Sequence, residues 1–72
     1  MTINQFNLLS KIEQDEIVTF LGVYLRNYVE GNIMCDVYRI YGFYVQFCYD
    51  VNNDKYPTIT AFDSDSNLFS AN

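Results

Sequence analysis

The fold is decided by the stretch from Val23 to Asp50, which reads VYLRNYVEGNIMCDVYRIYGFYVQFCYD. It is rich in β-branched and aromatic residues, which are the residue types that strands favour. Two short breaks with turn chemistry, Gly31-Asn32 and Tyr41-Gly42, divide it into three pieces. The pattern predicts three consecutive strands at about 23–30, 33–41 and 43–50. A fourth short strand is predicted at about 57–63, where Pro57 suits a strand start or an edge.

The second break leaves two turn types open. A two-residue turn at Tyr41-Gly42 joins the strands tightly, but it needs positive φ, and Tyr is a poor occupant of that conformation. A bulged turn with Gly42 in the left-handed conformation fits the sequence equally well. Strands next to each other in sequence usually pair, so both turns predict an antiparallel meander.

The first 22 residues have helical spacing. Segments 2–5 and 10–13 each begin with a hydroxyl residue and end with Gln or Glu, the pattern of a capping box. We therefore expect two short helices at about 3–9 and 11–21, with Gly22 as the C′ residue that ends the second. The second helix is expected to have one apolar side, formed by Ile12, Ile17, Val18, Phe20 and Leu21.

These elements predict an α+β fold in two layers. Two short N-terminal helices pack on a four-stranded antiparallel meander sheet. A chain of 72 residues is expected to form a single domain, residues 1–72. Its 7 Tyr and 6 Phe supply much of the apolar surface that so short a chain needs in order to fold.

Strand alternation predicts which side chains share a face. If Ile40 lies opposite Phe43, these two and their alternate neighbours form the face under the helices. The other face then carries residues that we treat as the predicted interaction face: Tyr24, Arg26, Tyr28, Val37, Arg39 and Tyr44. Tyr and Arg are enriched at protein interfaces, which supports that interpretation. An ordinary amphipathic surface is the alternative, and a one-residue bulge would exchange the two faces locally.

Cys35 and Cys48 are direct neighbours across the predicted hairpin. A cross-strand disulfide is geometrically feasible, although it would be labile in a reducing cytosol. The favoured expectation is therefore a pair of half-buried free thiols. Two thiols without His do not make a zinc site, which needs four ligands.

Several chemistries are excluded by missing residues. The chain has no His, which removes the commonest general base and the commonest neutral metal ligand. Its three Gly residues lie far apart, so no phosphate-binding loop is expected. Residues 50–54 match the first half of a calcium loop, but Lys55 and Ala61 stand where Gly and Glu are required. We expect no catalytic residues, no metal and no cofactor.

The charge limits the partners. Nine acidic and four scattered basic residues give a net charge of −5. Without a basic cluster, direct binding to nucleic acid or to an anionic membrane is not expected. No apolar stretch is long enough to span a membrane, and the first residues do not read as a signal peptide. The expected location is the cytoplasm.

The order of these signals resembles a family of small bacterial proteins of about 70 residues, of the Bacteroidetes type. The resembling segments are 1–10, 22–25, 28–31, 37–38, 42–47 and 61–64. Tyr41 stands where that pattern has Asp. No activity is assigned to the family, so the resemblance implies a bacterial, cytoplasmic, single-domain protein and no catalytic residue.

The sequence favours a non-enzymatic protein-interaction module. It would bind an unidentified protein, or a second copy of itself, through the tyrosine-bearing face or a sheet edge. One alternative is an acidic decoy that inhibits a nucleic-acid-binding protein. An enzyme would need a concave pocket with carboxylates of shifted pKa.

Overall fold

In a computed structural model of the protein, residues 1–53 and 57–63 are described. The elements are α1 (Ile3–Asn7), α2 (Lys11–Leu21), β1 (Val23–Glu30), β2 (Ile33–Ile40), β3 (Phe43–Asp50) and β4 (Thr58–Phe62). The strands form one antiparallel sheet in the order β1-β2-β3-β4. The predicted α+β class with a four-stranded antiparallel meander is confirmed.

Both predicted capping boxes form. The Thr2 hydroxyl accepts a hydrogen bond from the Gln5 backbone N–H at 3.2 Å, and the Gln5 side chain accepts one from Thr2 at 2.9 Å. Ser10 and Glu13 repeat the arrangement at the start of α2. Because α1 has only five residues, little more than one turn, the prediction of two helices is matched only roughly.

Gly22 ends α2 in an extended conformation, with φ −75° and ψ 147°. The left-handed C′ geometry typical of Gly is therefore absent at this position. Glycine is required for space instead. A Cβ at position 22 would lie 2.5 Å from the carbonyl oxygen of Val18, which accepts the Gly22 N–H at 2.8 Å.

The first two hairpin turns contain two residues each, since Glu30 pairs with Ile33 and Ile40 pairs with Phe43. At the first turn Gly31 has φ 62°, which Gly adopts freely. At the second turn the positive φ of 55° falls on Tyr41 and not on Gly42. The tight-turn alternative is confirmed, and the bulged turn with left-handed Gly42 is wrong. Tyr41 stacks on Phe43, with ring centroids 6.3 Å apart.

The main core lies between the helices and one side of the sheet, which we call the helix face. Five buried side chains form its centre: Phe6, Val18, Ile40, Phe43 and Val45. Phe6 meets Phe43 edge-to-face, with centroids 5.7 Å apart. Half-buried residues surround this centre: Ile3, Leu9, Ile17, Tyr38, Phe47, Ile59 and Ala61. Both helices contribute to it, so the N-terminal segment is held against the sheet by apolar contacts.

Candidate interaction surface

The opposite side of the sheet carries the disulfide between Cys35 and Cys48, and we call it the disulfide face. It holds five of the six residues of the predicted interaction face. Val37 on β2 pairs with Arg26 on β1 and with Gln46 on β3. Arg39 on β2 pairs in the same way with Val23 and Tyr44. Tyr28 lies opposite Cys35. Side chains alternate along strands, so these residues point away from Ile40 and Val45. Arg39 is exposed, whereas Arg26, Tyr28 and Tyr44 are half-buried.

The prediction that Tyr24 shares a face with Tyr28 and Tyr44 is wrong. The register of β1 shifts between Tyr24 and Arg26, so Leu25 is an extra residue that forms a bulge. The bulge turns Tyr24 to the helix face, where it pairs with Tyr38 and meets it edge-to-face at 5.5 Å. The extra residue in a bulge reverses the side of the sheet to which the residues before it point. The prediction for Tyr24 assumed regular alternation through position 25 and therefore placed it on the wrong face.

Val37 lies on the predicted side of the sheet, but it is not available to a partner. Its side chain is 0% exposed, and Cys35 is also buried. Neither belongs to the cluster between the helices and the sheet. The disulfide face therefore has a small buried centre of its own, and the prediction that Val37 forms part of an accessible surface is wrong.

A row of polar interactions crosses the disulfide face. The guanidinium carbon of Arg26 lies 5.8 Å from the centroid of the Tyr28 ring, within the range of a cation–π interaction. The Tyr28 hydroxyl donates to Gln46 Oε1 at 3.0 Å, and Gln46 Nε2 donates to Cys48 Sγ at 2.9 Å. These contacts connect β1 to β3 across the buried centre on β2.

Cys35 and Cys48 are paired as predicted, but they form a disulfide and are not free thiols. They lie directly opposite each other on β2 and β3, with Cα atoms 4.1 Å apart. That spacing is characteristic of a non-hydrogen-bonded antiparallel pair, in which side chains approach most closely. The expectation of free thiols is therefore wrong for this structure, because the register brings the two sulfur atoms together.

Tyr44 is engaged on the same face. It pairs with Phe62 on β4, and the two rings stack with centroids 5.8 Å apart and an interplanar angle of 20°. Together with Tyr28, it covers part of the sheet with aromatic surface. The half-buried tyrosines of this face thus contribute to its packing, and they leave a smaller aromatic surface exposed than their sequence pattern predicts.

A run of exposed apolar side chains at the junction of α2 and β1 was not predicted from the sequence. Consecutive positions around the junction of α2 and β1 carry large side chains that are exposed: Phe20, Leu21, Val23, Tyr24 and Leu25. Phe20 is 83% exposed and Ile12 73%, so these two side chains do not share one side of α2 with the buried Val18, as the predicted apolar side requires. The sequence spacing could have predicted this exposure. Ile12 and Phe20 are not three, four or seven residues away from Val18, so they lie on a different side of the helix.

Among the described residues, two titratable side chains have shifted pKa values. The pKa of Glu13 is lowered by its hydrogen bonds with the backbone and side chain of Ser10. The pKa of Tyr38 is raised, first by burial and then by the nearby carboxylate of Asp36. The first shift accompanies a helix cap, and the second accompanies packing on the helix face.

No metal centre is found in the described ranges 1–53 and 57–63, where no three His, Cys, Asp or Glu residues cluster. Residues 50–54, which match only the first half of a calcium loop and were not expected to bind metal, extend past the described residues, and Lys55 lies outside them. Within the part of the chain that the structure describes, no helix is long and apolar enough to cross a membrane.

Comparison with known proteins identifies no relative. No family model, no curated protein and no solved structure matches the chain. The resemblance to a Bacteroidetes-type family therefore stays a prediction.

Proposed function

We propose that the chain is a non-enzymatic protein-interaction module that accepts an extended segment of another protein at the outer edge of β1. The observation that carries this proposal is the exposure of β1. It is an edge strand of eight residues, and four of its five hydrophobic side chains are between 41% and 61% exposed. Val29 belongs to the stretch that pairs regularly with β2, and Val23, Tyr24 and Leu25 form an exposed apolar end beyond that stretch. An edge strand presents unpaired N–H and C=O groups that pair with an incoming strand.

The backbone groups available for such pairing follow from the hairpin geometry. Glu30 and Ile33 flank a two-residue turn, so they form a hydrogen-bonded pair, and the pairs alternate from there along the strand. The N–H and C=O groups of Asn27 and Val29 consequently point away from β2. No strand among the described residues pairs with this edge.

The Leu25 bulge limits the length of the docking edge. Between Arg26 and Glu30 the register with β2 is regular, whereas it shifts between Tyr24 and Arg26. Bulges on edge strands discourage indiscriminate pairing because they twist the edge away from a flat partner. A short extended segment that adds opposite residues 26–30 is therefore the partner that this edge fits.

Side chains beside the edge supply selectivity. Arg26 and Tyr28 lie on the disulfide face of β1, and Val29 lies on its helix face. An added strand would place alternate side chains next to each of these groups, so that one side meets a cation and an aromatic ring and the other an aliphatic surface.

A proline at position 29 tests the proposal directly. Val29→Pro removes an N–H that points to the outer edge and leaves the bonds between β1 and β2 in place. Val29→Thr is the matched control, since it keeps the N–H and the β-branched shape. Both variants and the wild type are used to capture proteins from cell lysate, and the captured proteins are quantified by mass spectrometry.

We expect a partner that the wild type and Val29→Thr retain and that Val29→Pro loses, with all three chains equally folded by circular dichroism. Equal capture by the proline variant contradicts strand addition at β1. A shift of the wild type to dimer in sedimentation, abolished by the same proline, assigns the edge to a second copy. Capture of a nucleic-acid-binding protein only at low salt favours the acidic-decoy alternative.

A further inference from the structure

A second exposed apolar surface lies on the helices, away from the disulfide face. Positions on either side of α1 and one side of α2 border a shallow, open groove of about 610 Å³. The groove is lined by Met1, Leu9, Glu13, Glu16, Ile17, Phe20 and Leu21. Strand addition at β1 does not use this surface.

The groove follows one stripe of α2. Glu13, Glu16, Ile17, Phe20 and Leu21 stand at relative positions 0, 3, 4, 7 and 8, which is the spacing of one helix face. The side of α2 that packs into the protein is centred on Gln14 and Val18, and Ile17 lies where the two sides meet. Beside its buried side, α2 therefore carries apolar side chains that nothing covers among the described residues, chiefly Phe20 and Leu21.

The walls of the groove are held in place by contacts beneath it. Gln14 Nε2 donates a hydrogen bond of 3.0 Å to the carbonyl oxygen of Phe6, which ties α2 to α1. Phe6 is fully buried, and Leu9 and Ile17 pack against the core. A groove formed by fixed helices needs little reorganisation when it binds a ligand, which favours affinity.

Its charged side chains are acidic. Of the described side chains that line it, two are glutamates and none is Lys or Arg. The hydrogen bonds with Ser10 lower the pKa of Glu13. Both glutamates lie in the first half of α2, while Phe20 and Leu21 lie in its last turn. The groove thus offers carboxylates toward one end and apolar groups toward the other.

We propose that this groove binds a basic amphipathic helix of a partner protein. The apolar stripe of that helix would pack on Ile17, Phe20 and Leu21, and its Lys or Arg side chains would lie beside Glu13 and Glu16. In helix-in-groove recognition an amphipathic helix lays its apolar face into a hydrophobic groove, and aromatic residues are frequent at the centre of such interfaces. This proposal goes beyond strand addition at β1, and the two surfaces can be tested separately.

The probes are three fluorescein-labelled synthetic 14-residue peptides. The first has Leu at helical spacing and Lys elsewhere, the second has the same Leu positions with Glu elsewhere, and the third is a scramble of the first without an amphipathic face. Binding is measured by fluorescence anisotropy with the full chain. The variants are Phe20→Ser, Glu16→Lys and, as a matched control, Leu8→Ser, whose side chain is 86% exposed and does not line the groove.

The basic amphipathic probe is expected to bind with an affinity that falls as salt rises, and at least about tenfold more tightly than the other two probes. Phe20→Ser should weaken binding by about tenfold or more, Glu16→Lys by severalfold, and Leu8→Ser by less than twofold. Thermal melts show whether each variant keeps its fold, as the exposure of these side chains leads us to expect.

Three outcomes overturn the proposal. The first is absence of binding by the basic probe at about 1 mM, and the second is equal binding of the acidic probe. The third is dimerisation of the wild type that Phe20→Ser abolishes, which assigns the groove to a second copy. Val29→Pro should leave peptide binding unchanged, so failure at the groove is separable from failure at the β1 edge.

Discussion

On the helix face of the sheet, Ile40, Phe43 and Val45 are buried against Phe6 and Val18, whereas on the disulfide face Val37 and Cys35 are buried outside that cluster. The first centre is held by apolar contacts between elements far apart in the chain. The second lies beside a disulfide and a row of hydrogen bonds on adjacent strands. The same sheet is therefore stabilised on its two sides by different interactions.

This difference predicts different responses to mutation. On the helix face, truncation removes buried apolar surface and leaves a cavity, so the effect is large. On the disulfide face, a single hydrogen bond contributes little on balance, because water replaces it in the unfolded chain. The covalent bond between β2 and β3 is the exception, since it restricts the unfolded chain.

Removing the largest buried aromatic should have the largest effect. Phe6→Ala is expected to lower the free energy of unfolding by about 3–5 kcal/mol, enough to unfold much of a domain of this size. Phe20→Ala makes the same chemical change at a side chain that is 83% exposed and should change stability by less than about 0.5 kcal/mol. Urea denaturation measures both, and equal losses would contradict the assignment of the core to the helix face.

Breaking the disulfide should have the next largest effect. Cys35 and Cys48 are 13 residues apart in sequence, and a crosslink closing a loop of that size stabilises by about 3 kcal/mol. Cys35→Ala with Cys48→Ala should therefore lower the urea midpoint, and a dithiol reductant should do the same to the wild type. The double variant should not respond to reductant, and a wild type that is equally insensitive would show that the bond contributes nothing.

The two-residue turn between β2 and β3 sets the register of these strands on both faces of the sheet. Substitutions at Tyr41 in this turn should have a smaller effect on stability. Tyr41 has φ 55°, a conformation that costs a residue with a Cβ about 1 kcal/mol or more. Tyr41→Gly and Tyr41→Ala both remove the stacking on Phe43, but only Gly relieves the backbone. The Gly variant should be more stable than the Ala variant by about 1 kcal/mol, measured by thermal unfolding. A more stable Ala variant would contradict the left-handed conformation.

The hydrogen bonds of the disulfide face should have the smallest effect. Tyr28→Phe removes the hydroxyl that donates to Gln46 and is expected to destabilise by about 0.5–1 kcal/mol. A double-mutant cycle with Gln46→Met isolates the interaction between the two side chains. A coupling energy indistinguishable from zero would mean that packing alone holds this face together.

Much of the fold was predictable because its signals are local. A capping box involves residues three positions apart, and a two-residue turn sets the pairing of the strands on either side of it. The helix starts at Ile3 and Lys11, the strand order and the opposition of Cys35 to Cys48 all follow from such short-range chemistry. The predicted bounds differ from the observed ones by two residues or fewer.

The candidate surfaces were predicted less well. Arg26, Tyr28, Arg39 and Tyr44 share the disulfide face as expected, but Tyr24 does not, because the bulge at Leu25 carries no distinctive residue type. Val37 is on the predicted side of the sheet but is buried. The alternation of side chains along a strand predicts which face a residue lies on, but it does not predict how exposed the residue is. The exposure of Phe20 depends on which side of α2 meets the sheet, and apolar side chains lie on more than one side of that helix.

Residue order alone was sufficient for the class of fold, the capped helix starts and the meander, because these depend on backbone propensities and contacts between chain neighbours. The folded arrangement was needed to assign Tyr24 to the helix face, to join the two cysteines and to leave the groove along α2 uncovered. Those features depend on how α2 and β1 lie against the rest of the sheet, which is set by packing among distant residues such as Phe6, Val18 and Ile40.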